Sequence, residues 1–107
     1  MMSIRQTGNE VICQLDTDLV GPNLSSVRTE FTQLLAAGHR LDQFIVDCQK
    51  VVNVDALGIQ LIVGLFRTLQ NLKISLKLIN CTDPVLRVLL LFRLNQHFRV
   101  EGVYADG

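Results

Sequence analysis

Apolar and polar positions along the chain change period several times, and the changes mark out alternating strands and helices. Residues 10–15, EVICQL, read as a strand. Ile4 and its neighbours supply a partner for it across a turn at Thr7, Gly8 and Asn9. Residues 16–22 form a loop in which Gly21 and Pro22 break regular structure. A helix then starts at Pro22 or Asn23 and ends at Gly38, with Leu24, Val27, Phe31, Leu34 and Leu35 recurring at spacings of three and four apart from one step of one. It is amphipathic, with one buried stripe.

Residues 39–43 lead into Phe44, Ile45, Val46, Asp47 and Cys48, an apolar run too short for a helix and rich in strand formers, which reads as a central strand. Gln49 and Lys50 form its exit, and a second helix runs over residues 55–72. Residues 73–78, KISLKL, alternate strictly, as a strand with one solvated face does. Thr82 or Asp83 then caps a third helix, with Pro84 in its first turn and an end near Arg93, and residues 98–102 close the chain with a final strand. This order implies right-handed crossovers and a largely parallel α/β sheet, with the first hairpin adding an antiparallel edge.

At 107 residues the chain has the size of one domain. A hydrophobic share of 49% with 19% charged residues argues for a packed core and against disorder. Ten basic and ten acidic residues cancel, so no strong molecular field draws the chain to nucleic acid or to an anionic membrane surface. Cys13, Cys48 and Cys81 are odd in number and widely spaced, and His39 and His97 are the only histidines. That pattern matches neither a disulfide framework nor a zinc site, and buried thiols in a reducing compartment are the expectation. Residues 1–6 carry no apolar core of signal-peptide length and no run is long enough to span a bilayer, so a soluble, cytoplasmic protein without membrane insertion is expected.

The candidate chemistry gathers between residues 44 and 61. Asp55 stands where the second helix begins, where a carboxylate accepts from the unpaired N–H groups of the first turn. In α/β proteins, ligands usually sit near helix N-termini in the crevice at the carboxyl ends of the strands. Asp47 and Asp55 flank the loop, but without a nearby His or a third acid the cap explains Asp55 better than a metal does. Asp16 and Asp18 read most simply as solvated turn residues, and they are also placed to line the same rim as Asp55. Lys50 and Asn53 read as plain surface. On the second helix Gln60, Gly64, Arg67 and Asn71 share a narrow polar sector, while apolar residues spread wider than one sheet face requires. Either neighbouring helices cover those flanks or a partner does. Gly64 costs a helix about 1 kcal/mol relative to Ala, which suggests close approach by something. No GxGxxG, GxxxxGK[ST] or GxSxG occurs, and no catalytic set, metal site or cofactor site emerges.

Phe44, Ile45, Val46 and Asp47, followed by Val54, Asp55, Ala56, Leu57, Gly58, Ile59, Gln60 and Leu61, resemble the STAS domain family of anti-sigma factor antagonists and their relatives. The family signature is a strand ending in Asp, a short loop, and Asp-Ser/Thr-x-Gly-Leu opening a helix. The similarity extends over almost the whole chain, through residues 18–23, 78–80 and 94–98. It implies a single STAS-type domain over residues 1–107, with a mixed, mostly parallel sheet of four or five strands and three or four helices. It further implies a bacterial, non-enzymatic signalling module that binds a serine kinase of anti-sigma type, an anti-sigma factor or another signalling protein. The implied partner-binding residues are Asp18, Asn53, Asp55, Ala56, Leu57, Gly58, Ile59, Gln60 and Gly64. In the family, the Ser or Thr after the capping Asp is phosphorylated by the partner and the complex breaks. That position is Ala56 here, so the binding surface is implied without its usual switch. The run Gly58, Ile59, Gln60 and Leu61 is also similar to the STAS subunits of bacterial lipid-transport complexes, which dock on an ABC ATPase. A nucleotide-binding protein or enzyme using the crevice near Asp47 and Asp55 is the remaining alternative. Val88 and Leu91 on the third helix either extend a docking face, support a homodimer, or pack under the C-terminal segment.

Overall fold

The computed structural model describes residues 2–38 and 40–103. His39, expected at an element boundary, lies outside the described residues, as do Met1 and residues 104–107. Five strands and three α-helices follow one another as β1 (Met2–Thr7), β2 (Glu10–Leu15), α1 (Leu24–Ala36), β3 (Gln43–Asp47), α2 (Ala56–Asn71), β4 (Ser75–Cys81), α3 (Asp83–Leu91) and β5 (Arg99–Gly102). Short 3₁₀ turns at Gly21–Asn23 and Leu94–Gln96 precede α1 and β5. The result is a single α/β domain with the strand content expected from the pattern.

The strands lie side by side in chain order. β1 and β2 form the antiparallel hairpin, with Ile4 opposite Cys13, and every later pair is parallel. Each parallel step needs a crossover, and crossovers are right-handed. Because each step here moves one strand in the same direction, all three helices fall on one face. The burial pattern agrees. Val11, Cys13, Leu15, Phe44, Val46, Leu76 and Leu78 share one core with Val27 and Phe31 of α1, Ile59, Ile62, Leu65 and Leu69 of α2, and Val85 and Leu89 of α3. Phe31 meets Phe44 edge to face at 5.6 Å, which seats α1 on the sheet. Residues of opposite parity, including Ile12, Gln14, Asp47 and Lys77, face a side that carries no helix among the described residues, where Glu101 pairs with Lys77 at 3.4 Å and with Arg99 at 3.3 Å.

The strand order runs without reversal, so the sheet has no switch point of the doubly wound kind. Much of the wide apolar surface of α2 is covered within the chain. α1 packs on one flank, and on the other the Phe66 ring meets Phe98 at 5.5 Å and His97 at 5.9 Å in tilted contacts. Leu57 and Leu72 stay exposed.

Several boundaries also shift. Residues 73 and 74 do not begin β4. Lys73 adopts φ 61°, and the N–H groups of Lys73 and Ile74 close back on the carbonyls of Gln70 and Leu69, ending α2 in a Schellman turn. β4 instead runs on to Cys81 through Asn80 at φ 55°. Thr82 occupies the N-cap of α3 without capping it. Its hydroxyl donates to the Val51 carbonyl at 2.7 Å and ties that turn to the loop after β3. Phe98 is a core residue ahead of β5, not its first. The three cysteines are free and buried. Burial, with Glu30 nearby, pushes the Cys13 thiol up to about 12, and the Cys81 thiol together with burial pushes Cys48 up as well.

Candidate functional site

β2 and β3 are parallel neighbours, so the loops leaving their carboxyl ends emerge side by side. These loops continue the pairing beyond the sheet. Leu19 N–H donates to the Asn53 carbonyl at 3.0 Å, Asp55 N–H donates to the Leu19 carbonyl at 3.1 Å, and Leu19 and Val54 form a parallel bridge.

Two aspartates then lock the pair. Asp18 Oδ1 accepts from the N–H groups of Val52 at 2.9 Å and Asn53 at 3.2 Å, while its Oδ2 accepts from Asn53 Nδ2 at 2.9 Å. Asp55 does the reciprocal job. Its Oδ1 caps α2 by accepting from Gly58 N–H at 2.8 Å, and its Oδ2 reaches across to Gly21 N–H at 2.9 Å, the entrance of α1. Asn23 Nδ2 donates to the Asp18 carbonyl at 3.0 Å and closes the first loop on itself. Hydrogen bonds to the ionised form favour it. The Val52 N–H and the Asn53 side chain hold Asp18 below the usual carboxylate range, and the Gly21 and Gly58 N–H groups do the same for Asp55.

Asp18 is thus more than a turn residue: it is one half of a clasp whose other half is Asp55. Gly58 permits the close fit. A Cβ there would collide with the Leu19 carbonyl oxygen and sit 3.1 Å from the Leu19 Cβ. Within the chain the close approach is made at Gly58, and nothing lies within 4 Å of where a Gly64 Cβ would be.

Above the clasp, α2 presents a continuous exposed strip. Ala56, Leu57, Gln60, Gly64, Arg67 and Asn71 are all exposed and fall within about a third of the helix circumference. Asn53 is exposed at its foot. Leu57 at 52% and Val52 at 51% add apolar area on either side of Asp55. Ile59, at 6%, points into the core and acts as an anchor beneath the strip, and Gly58 is buried against Leu19. A groove of about 270 Å³ between α1 and α2 runs beside the strip, lined by Arg28, Phe31, Leu35, Gln60, Leu61 and Gly64 among others.

Asp47 does not join Asp55. Its Oδ1 accepts from Gln49 N–H at 2.9 Å and its Oδ2 from Gln14 Nε2 at 3.4 Å, on the face of the sheet away from the helices. No group of three His, Cys, Asp or Glu side chains converges among the described residues. What the arrangement offers chemically is a rigid surface: an apolar and amide strip whose backbone is fixed from below.

Sequence reasoning placed Asp18, Asn53 and Asp55 on one rim, and the structure brings them together. It did not find Gly21, Leu19 or Val52. Gly21 reads along the chain as a loop breaker, yet its N–H is the far partner of Asp55, and these bonds span loops 34 or 35 residues apart. No local pattern announces such a partner.

Solved structures with this fold include a Thermotoga maritima protein assigned as an anti-sigma factor antagonist, with a TM-score of 0.85 at 17% identity over 98% of this chain and 89% of that one. The Bacillus cell fate determinant SpoIIAA in its phosphorylated form matches with a TM-score of 0.70 at 17% identity, covering 94% of this chain and 90% of that one. A sulfate transporter family protein from Wolinella succinogenes gives 0.74 at 17% identity, over 92% of this chain and 85% of that one. At such identities the likeness is one of fold. No curated protein sequence matches the chain. The sequence profile of the STAS domain matches residues 1–106, and with the fold and the Asp55 loop both in place the chain belongs to the STAS domain family, a relationship that supports a protein-interaction role.

Proposed function

We propose that this protein is a non-enzymatic signalling module of the bacterial cytoplasm, similar to anti-sigma factor antagonists, which binds a partner kinase or anti-sigma factor through the Asp55 loop and the exposed strip of α2. The observation that carries this reading is the clasp. Asp18 and Asp55 together satisfy five donors from the two loops and the α2 entrance, and so hold Asn53, Ala56, Leu57 and Gln60 in one fixed presentation. A surface fixed in advance loses less conformational freedom when a partner settles on it. Gly64 and the groove beside it extend the surface, while Gly58 and Ile59 support it from inside.

Ala56 is the first residue of α2 and is exposed; the resemblance to the family motif matches it to the Ser or Thr that is phosphorylated there. A phosphate brings about two negative charges and demands desolvation at a packed interface. Without a hydroxyl this surface stays open to its partner, and control passes to the partner's own state or abundance.

Affinity capture with wild-type protein and Ala56→Glu side by side tests the reading. A carboxylate in the first turn suits the helix dipole, so folding stability should change by less than about 1 kcal/mol, the added charge beside Asp55 offsetting part of that gain. The partner, a kinase, an anti-sigma factor or a transporter ATPase, should be retained by wild type and lost with Ala56→Glu. Recovery of the same proteins at the same yield from both columns would sink the proposal.

A further inference from the structure

The C-terminal end of α3 carries an apolar tip that the core does not use. Leu90, Leu91 and Phe92 are 45%, 76% and 53% exposed, whereas Val85 and Leu89 fill the core and Leu86 and Val88 pack half-buried against it. The tip is a built feature, not a loose end. Arg93 takes φ 58°, and the N–H groups of Phe92 and Arg93 bond back to the carbonyls of Val88 and Leu90 at 3.2 and 2.9 Å.

Its surroundings are cationic. Arg87 lies one turn before Leu91 on the outer side of α3, Arg93 adjoins Phe92, and both are exposed. Neither makes an ion pair among the described residues. From residue 84 to residue 98 the chain holds Arg87 and Arg93 and no acid. Glu101 is engaged by Lys77 and Arg99, and Asp83 lies at the other end of the helix, roughly 12 Å away by helical rise. A net charge of zero therefore conceals two exposed arginines beside the exposed apolar run of Leu90, Leu91 and Phe92.

Leu90 and Leu91 leave the helix axis about 100° apart and Phe92 follows at the C-cap, so the three side chains spread around the tip and a single flat protein face does not reach them all. A fluid medium closes around them. Exposed Leu and Phe flanked by Arg are the composition of a surface that lies at a lipid interface, with apolar side chains among the acyl chains and guanidinium groups at the phosphates.

We propose that the α3 tip is a peripheral membrane contact that inserts Leu90, Leu91 and Phe92 shallowly into an anionic bilayer, with Arg87 and Arg93 on the lipid phosphates. No helix among the described residues is long and apolar enough to cross a membrane, so the contact is one of surface attachment.

Vesicle sedimentation with the purified protein tests this, using phosphatidylcholine vesicles and vesicles of phosphatidylcholine mixed with phosphatidylglycerol. Wild type should pellet with the mixed vesicles and partition onto pure phosphatidylcholine roughly tenfold less strongly or weaker still, since each basic residue near an anionic surface adds attraction. Leu91→Asp and, as a milder change, Leu91→Ser should both reduce binding, and Arg87→Glu with Arg93→Glu should abolish the preference for the anionic lipid. All four changes are on exposed side chains, so circular dichroism should show an intact fold. The proposal is overturned if wild type stays in the supernatant with mixed vesicles, or if Leu91→Asp and Leu91→Ser pellet as wild type does. It is likewise overturned if sedimentation velocity shows a dimer that Leu91→Asp dissociates while vesicles bind neither form, which would give the tip to a second copy of the chain.

Discussion

Gly58 and Gly64 sit on the same helix, and a methyl group should have opposite effects at the two. At Gly58 it would meet the Leu19 carbonyl, a backbone atom that cannot swing aside without opening the bridge between Leu19 and Val54. At Gly64 it would meet open space, and Ala is the better helix former by about 1 kcal/mol. Denaturant unfolding of the two variants should therefore show Gly58→Ala destabilised by about 3 kcal/mol and Gly64→Ala stabilised by up to about 1 kcal/mol. Equal effects at the two positions would mean that the packing of Gly58 on Leu19 is not what holds the loops together. The aspartates of the clasp make a second prediction at this scale. Their folded-state pKa values are lowered, so their stabilising contribution is complete above the unfolded carboxylate pKa of about 4 and is lost as pH falls below it through the folded values. Wild type should lose stability in that acid window more steeply than Asp18→Asn or Asp55→Asn, as followed by thermal melting against pH, and parallel curves would show that the two carboxylates contribute nothing in their ionised form.

Among elements, legibility followed the range of the interactions that end each one. α2 begins where the sequence places it because its cap and the donor it serves, Asp55 and Gly58, lie within one turn. Its end is less visible. Lys73 takes the left-handed position that glycine usually fills, so the alternation of KISLKL draws residues 73 and 74 into a strand when they belong to the helix terminus. Thr82 has the right identity for a cap and is in the right place, but Val51 claims its hydroxyl. The amphipathic stripe of α1 is legible for the opposite reason, since Leu24, Val27 and Phe31 all answer to a single buried surface. At the candidate site, Asp55 and Asn53 could be found from local pattern and from the family motif. What Asp18 does could not, because its donors lie on another loop.

For the whole molecule, element order follows from the alternating pattern, but strand order does not, and strand order decides what kind of site the fold can offer. A sheet that advances in one direction collects its helices on one face and has no switch point, and the proposed docking surface lies on the helix-bearing carboxyl edge. The same asymmetry leaves α3 at the end of the helical layer with its apolar tip outward, while balanced composition hides the arginines around it. The central claim is that the exposed start of α2, fixed by the aspartate clasp, is where a partner binds. Hydrogen–deuterium exchange of the protein with and without the partner recovered by affinity capture measures this most directly. Slower exchange on binding is predicted in residues 52–64 and in the loop around residues 18–21, with the helix-free face of the sheet unchanged. Protection on that face of β2, β3 and β4, with residues 52–64 exchanging as in the free protein, would contradict the account.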